Sequence, residues 1–271
     1  MIAEQALDWP TKYDLFGVQV SATTYDEAVD ALTLAAERRV PAIASLHAVH
    51  ALITASDDEE LRDIVNSFEL IGPDGQPVRW ALNLLHGTQL KQRVYGPELM
   101  LRLCQRAAET QLPIFLYGGT PDVLAALASN LVSRYPELQI AGSYAPPFRP
   151  LTCEERTDVI DQMRASRARL VFIGLGAPKQ DRFAHEMRGE INAVFVCVGA
   201  AFDFHAGIKR MAPAWMQRSG LEWLYRLLQE PRRLWKRYVV TNSLFLWKLF
   251  VARYMKSRRP PSACNIERAT T

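Results

Sequence analysis

Short runs of β-forming residues that end in glycine alternate along the chain with segments whose apolar positions recur at helical spacing. Seven runs read as strands: Leu15–Val20, Ala42–Leu46, Phe68–Ile71, Ile114–Tyr117, Gln139–Ala141, Leu170–Ile173 and Val194–Val198. Several are apolar at consecutive positions, so both faces must be covered, as in a parallel sheet between helical layers. The alternation predicts an α/β protein with a Rossmann-like parallel-sheet core and crossover helices. Helix starts are marked by Thr24 with Glu27, Ser56 with Glu59 and Thr152 with Glu155, each at capping-box spacing. Pro121 after Thr120 marks another, at a position whose N–H has no helical partner.

No internal repeat and no Ser/Gly linker interrupts the pattern. The expected organisation is an N-terminal extension over residues 1–13, an α/β catalytic domain over 14–219, a basic amphipathic helical appendage over 220–259 and a disordered tail over 260–271. From Arg232 onward, a helical projection places Leu234, Trp235, Tyr238, Val239, Phe245, Leu246, Leu249 and Phe250 on one side. Arg232, Arg233, Lys236, Arg237 and Lys248 fall on the other. The least charged stretch, Tyr238–Trp247, is far below the ~20 apolar residues of a spanning helix. It can lie in a membrane interface without crossing it. The alternative is that the apolar side packs on the α/β domain or on a second subunit of a homo-oligomer, with the basic side merely solvated.

Composition narrows the class. The 271 residues are 49% hydrophobic and 23% charged, which excludes collagen-like, coiled-coil and multi-span membrane proteins. The net charge of +3 hides an asymmetry: Leu221–Arg259 holds ten Lys or Arg against two Glu, and the remainder is acidic. Such a tail calls for an anionic partner, a membrane surface before a nucleic acid, since no nucleic-acid-binding motif appears elsewhere. The four cysteines show neither zinc spacing nor a disulfide framework. Met1–Pro10 carries Glu4 and Asp8 without an apolar core, so no secretory signal is read. The expected location is cytoplasmic, peripheral on the inner face of the membrane.

Ligands of open α/β sheets bind beyond the carboxyl ends of the strands. Three loops there are rich in glycine: Gly118-Gly119-Thr120, Gly174-Leu175-Gly176-Ala177-Pro178-Lys179-Gln180 and Gly199-Ala200-Ala201-Phe202-Asp203. Backbone N–H groups at such turns can hold a diphosphate. The dinucleotide fingerprint fails, because Lys179 stands where a third glycine is needed and no acidic residue follows the next strand. A nicotinamide oxidoreductase is therefore the runner-up, beside a non-catalytic nucleotide- or lipid-binding protein. Asp74 sits in a turn between Pro73 and Gly75, and Asp203 lies between Phe202 and Phe204. His47 and His50 could share a helix face, but without a third ligand they do not make a metal site. No D-x-D pair is available for a metal-bound nucleotide.

From Asp14 to Tyr254 the chain resembles the bacterial WecG/TagA/CpsF glycosyltransferase family. The matching blocks are Pro73-Asp74-Gly75-x-Pro77-Val78-x-Trp80-Ala81, Arg93-Val94-x-Gly96-x-x-Leu99, Tyr117-Gly118-Gly119 and Pro146-Pro147-Phe148. Gly174 through Gln180, Phe202-Asp203-Phe204-x-Ala206-Gly207, Ala212-Pro213-x-Trp215-Met216, Gly220-Leu221-Glu222-Trp223 and Glu230-Pro231-x-Arg233-Leu234 complete them. The resemblance implies an inverting, metal-independent enzyme without a cofactor. It would move N-acetylmannosamine, its uronic acid or a glucose-type sugar from a UDP-sugar to a polyprenyl-diphosphate-linked sugar in cell-surface polysaccharide synthesis. By motif, Asp74 would be the catalytic base, Ser45 the hydroxyl residue of the site and Gln180 a donor contact. Gly118, Gly119, Gly174 and Gly176 would border the donor phosphates, and Asp203 would orient the donor or brace a loop. Arg226, Arg233 and Arg237 would complete the site over a diphosphate. His47 replaces a usual Asn, Arg79 a usual apolar residue and His205 another, departures that bear on sugar identity more than on reaction type.

Elementary chemistry agrees with part of this. A glycosidase needs two carboxyl groups because its leaving alkoxide must be protonated. UDP leaves as a stabilised anion, so one base and a cluster of N–H and Arg donors suffice. With an ordinary pKa of about 3.9, Asp74 would be ionised near neutral pH.

Overall fold

The computed structural model describes residues 7–258. The order is β1 (Lys12–Leu15), β2 (Val18–Ser21), α1 (Tyr25–Glu37), β3 (Ala42–His47), α2 (Val49–Asp57), α3 (Glu59–Asn66), β4 (Leu70–Pro73), α4 (Gln76–His86) and α5 (Gly96–Glu109). Then follow β5 (Ile114–Gly118), α6 (Pro121–Arg134), β6 (Ile140–Tyr144), α7 (Cys153–Ser166), β7 (Leu170–Gly174), α8 (Lys179–Met187) and β8 (Val194–Cys197). The described chain ends with α9 (Ala201–His205), α10 (Ala214–Arg218), α11 (Glu222–Gln229) and α12 (Pro231–Arg258). Six strands make one parallel sheet in the order β4-β3-β8-β7-β5-β6.

Strand residues alternate between two cores, as a pleat requires. Ile43, Phe115, Val171 and Phe195 meet Leu52, Leu61, Val78 and Val159 on one face. Ala42, Leu116, Phe172 and Val196 meet Leu32, Leu103 and Leu127 on the other. This is the expected α/β Rossmann-like class, with the sheet covered on both sides.

The helix starts at Thr24, Thr120 and Thr152 form as their sequences predict, the first and third with both arms of the capping box. The start predicted at Ser56 does not. Asp58 is the N-cap of α3, its carboxylate accepting from the Leu61 N–H, while Ser56 lies inside α2 and donates to the Phe16 carbonyl. Asp and Ser compete for such positions, and the short gap between α2 and α3 lets Asp58 end one helix and begin the next. The single strand expected over Leu15–Val20 is a hairpin instead. Phe16 and Gly17 both take positive φ there, 62° and 91°, and the chain reverses. β4 and β6 lie later than expected, at Leu70–Pro73 and Ile140–Tyr144.

The appendage helix forms, but the face assigned to it divides in two. Leu234, Thr241 and Phe245 are buried, and α12 packs along α2 and α4. Trp235, Val239, Leu246 and Phe250 of that face, and Trp247 beside it, are each at least half exposed. A strip at roughly heptad spacing is thus all the α/β body covers. Lys248, placed on the solvated side by the projection, pairs with Asp57 at 2.7 Å and donates to Ser56. The tail predicted to be disordered lies outside the described residues.

Candidate active site

Because every strand of the main sheet runs the same way, the loops after β4, β3, β8, β7 and β5 gather at one edge. Asp74 stands just past β4, where its N–H donates to the His47 carbonyl at 3.2 Å. Its residue surface stays partly open, while the carboxylate is packed round by protein. Arg93, Arg226 and Glu222 surround it, and the Gly96 N–H donates to it. Burial pushes its pKa up to about 6, against the opposing pull of Arg93 and Arg226 and the Gly96 N–H, and with Glu222 adding to the rise. The expectation of an ordinary carboxylate pKa is therefore corrected. The sequence places Asp74 in a turn but says nothing of how far water is excluded from it.

Arg93 and Glu222 form a pair at 2.6 Å, with side chains only 10% and 12% exposed. Arg226 joins Glu222 at 3.4 Å, one helical turn on. Arg93 lies over the Tyr95 ring at 4.2 Å and Arg226 over Phe204 at 5.2 Å. With Asp74 ionised, the two arginines and two carboxylates balance, which is the condition for keeping such charges out of water. The set also ties α11 to the end of β4. Sequence reasoning found Asp74 and Arg226 but gave no role to Arg93 or Glu222. Both lie in the runs that carry the family resemblance, the one signal that could have found them. A cavity of about 230 Å³ adjoins Arg93 and Tyr95 and is lined also by Tyr25, Met211 and Gln217. A larger one, about 650 Å³, lies between the N-terminal segment and α1, away from the strand ends.

The glycines of the facing loops divide by task. A Cβ on Gly118 would stand 2.8 Å from the Gly174 carbonyl carbon, and one on Gly174 would enter the Phe202 ring at 2.5 Å. Gly118 thus lets the end of β7 approach β5, and Gly174 admits Phe202, whose full burial is worth about 2–3 kcal/mol. Gly176, at φ 78°, has open space around its missing Cβ. Gly119, at φ 70°, sits against Val123. Gln180 is buried and its Oε1 accepts from the Gly176 N–H at 3.1 Å, so its carbonyl oxygen braces the loop.

Ser45 and His47 end β3, both fully buried. Ser45 Oγ donates to Asp181 Oδ1 at 2.6 Å, and His47 Nε2 lies 3.7 Å from the same oxygen. The two histidines do not share a helix face: His47 closes β3, and His50 is in the first turn of α2. Asp203 pairs with Lys209 at 2.9 Å, Lys209 with Glu230 at 3.2 Å, and Glu230 with Arg233 at 2.5 Å. Arg233 is 62% exposed and held to that chain of charges, so it is not gathered around Asp74. Arg79 donates to the Leu90 carbonyl at 2.7 Å and His205 pairs with the Pro97 carbonyl at 2.9 Å, each a brace between elements.

Edge geometry of this kind serves many chemistries. The family decides among them: the sequence model of the glycosyl transferase WecG/TagA/CpsF family matches residues 13–259. The chain belongs to that family. It is thus a glycosyltransferase of cell-surface polysaccharide synthesis, and the nicotinamide oxidoreductase alternative falls away. The family match spans the α/β core and the appendage together, as the Asp74–Arg93–Glu222–Arg226 set does. Among the described residues no helix is long and apolar enough to cross a membrane, and no group of three or more His, Cys, Asp or Glu is placed to hold a metal ion.

Proposed function

We propose that this glycosyltransferase moves a sugar from UDP to a polyprenyl-diphosphate-linked sugar by a single inverting displacement, with Asp74 as the base. The observation that carries the reading is the carboxylate of Asp74 at the strand edge, its pKa raised to about 6 and its charge balanced by Arg93, Arg226 and Glu222. A base whose pKa lies just below neutral is ionised at pH 7, yet accepts a proton more readily than an ordinary aspartate. The acceptor hydroxyl gives its proton to Asp74 as its oxygen attacks the anomeric carbon. The C–O bond to UDP breaks on the opposite side, and the electron pair leaves on the diphosphate. Gly119, Gly176 and Gly199 supply the loops for that diphosphate, and Arg226 of α11 balances its charge. Ser45, Gln180 and Asp203 then shape the donor side, directly or through the loops they brace.

The appendage is the membrane-facing part in this reading. Its exposed Trp235, Val239, Leu246, Trp247 and Phe250, interleaved with Lys236 and Arg253, are the mixture that rests at an anionic interface. A second copy of the chain covering the same row is the alternative, and sedimentation without lipid separates the two. The test of the chemistry is product configuration. The full-length protein, supplied with a UDP-α-sugar and a short-chain prenyl-diphosphate-linked acceptor, should give the β-linked product with one UDP released per transfer. Retention of the α-configuration would overturn the single displacement.

A further inference from the structure

Two helices begin side by side at the site's edge with bare ends. α2 starts behind Ala48 and α4 behind Gly75, and neither residue offers a side-chain cap. A methyl group at Gly75 would lie 3.6 Å from the Ala48 backbone, so the two ends adjoin. Neither first turn holds an acidic residue. In α4 Pro77 has no N–H and the Val78 N–H donates to the Gly75 carbonyl at 3.0 Å, so it is the first-turn N–H groups of α2, with the two helix dipoles, that favour an anion there. This alone would be a common feature.

His47 makes it more. Its ring immediately precedes the α2 cap, is fully buried, and has no hydrogen-bond partner for Nδ1 or Nε2 among the described residues. The nearby Asp181 oxygen is 3.7 Å from Nε2, beyond hydrogen-bond reach, and already accepts from Ser45. His50, in the first turn of α2, is half-buried, with Nδ1 3.3 Å from Thr54 Oγ1. Burial first, then Arg237, then His47 drive its pKa down to about 4. His47, His50 and Arg237 are thus gathered at the α2 start. A dianionic group with several acceptor oxygens would find donors there from the α2 first turn, the unpartnered His47 ring and the Arg237 guanidinium.

This cluster follows β3 and lies beside α12, whereas the glycine loops follow β5, β7 and β8. α12, whose exposed row would hold the lipid, packs on α2 and brings Arg237 to His50. We propose that the adjoining starts of α2 and α4, with His47, His50 and Arg237, form a diphosphate site for the lipid-linked acceptor, separate from the donor's phosphate site. This rests on the functional reading above for its occupant, but not for its geometry.

The test uses the full-length protein saturated with UDP and titrated separately with inorganic phosphate, inorganic diphosphate and geranyl diphosphate. Binding is followed by calorimetry and by the His50 imidazole resonance. The expected result is one further equivalent of diphosphate bound with UDP retained, geranyl diphosphate binding more tightly than inorganic diphosphate, and the His50 resonance shifting on binding. His50→Gln and Arg237→Gln should each weaken that second binding at least tenfold and leave UDP affinity within twofold. Arg237 is exposed, so its variant keeps the test valid if His50→Gln fails to fold. Displacement of UDP by diphosphate, or loss of UDP affinity in the variants, would assign these residues to the donor instead. Equal binding of inorganic and geranyl diphosphate would exclude the lipid as source. Sugar transfer that persists without any second diphosphate equivalent would overturn this site and leave the functional reading standing.

Discussion

Replacing Asp74 by Asn should make the protein more stable while nearly abolishing turnover. The folded state holds this carboxyl at about 6 against 3.8 when unfolded, so folding takes up a proton between those values. Stability contributed by the group is therefore highest below pH 3.8, declines as pH rises toward 6 and is flat above. At about 1.4 kcal/mol per decade, ionised Asp74 costs roughly 3 kcal/mol at pH 7, an upper figure because part of the residue reaches solvent. Asn keeps the shape and removes the charge. Urea denaturation at pH 7 should give Asp74→Asn an excess of about 1–3 kcal/mol over the wild type, shrinking toward zero near pH 4. Turnover should fall about 10²–10⁴-fold, the usual worth of a general base. Wild-type turnover should rise with pH through an inflection near 6, where Asp74 loses its proton. A variant less stable than wild type at pH 7, or turnover within a few-fold of it, would refute the picture of a strained, buried base. Were Asp203→Asn to abolish turnover instead, the role would pass to Asp203.

Arg93→Gln removes a cation that holds the Asp74 pKa down and leaves Glu222 without its 2.6 Å partner. The rate inflection should move above 6, and denaturation should show a loss of about 3–5 kcal/mol; an unmoved inflection would show that Arg93 does not act on Asp74. The full-length protein should pellet with anionic vesicles and be partly released by salt, each basic residue near the surface contributing about 1 kcal/mol. Truncation after Ser219 should abolish both vesicle binding and turnover on lipid acceptors, the latter because Arg226 and Glu222 leave with the appendage; retained turnover would reduce the appendage to packing. Turnover should persist in EDTA, since arginines and loop N–H groups are assigned the diphosphate charge; loss restored by magnesium or manganese would reverse that.

The parallel sheet was legible because runs such as Leu170–Ile173 and Val194–Val198 are apolar on both faces, a pattern few other environments support. Capping at Thr24 and Thr152 was legible because both arms of each box lie within four residues. What escaped depends on distant partners. The Leu15–Val20 run keeps its alternation straight through the Phe16–Gly17 turn, so only the φ values reveal the hairpin. The α12 projection puts eight apolar residues on one side but does not say which of them α2 and α4 cover. Asp74 and Arg226 were readable from motif, yet the neighbours that raise the Asp74 pKa are 19 residues away at Arg93 and far beyond that at Glu222 and Arg226. Gly118 and Gly174 read as phosphate loops, and what their bare Cα atoms admit in the fold is the Gly174 backbone for the first and the Phe202 ring for the second.

The central claim is transfer from a UDP-sugar at the Asp74 edge, and the release of UDP tests it most directly. Purified full-length protein would be given a panel of UDP-sugars with and without a short-chain prenyl-diphosphate-linked sugar. The account predicts UDP release that requires the acceptor, occurs with one or a few of the sugars and is lost in Asp74→Asn. Binding of UDP-sugars with no acceptor-dependent release from any of them would contradict it and favour a non-catalytic nucleotide-binding protein.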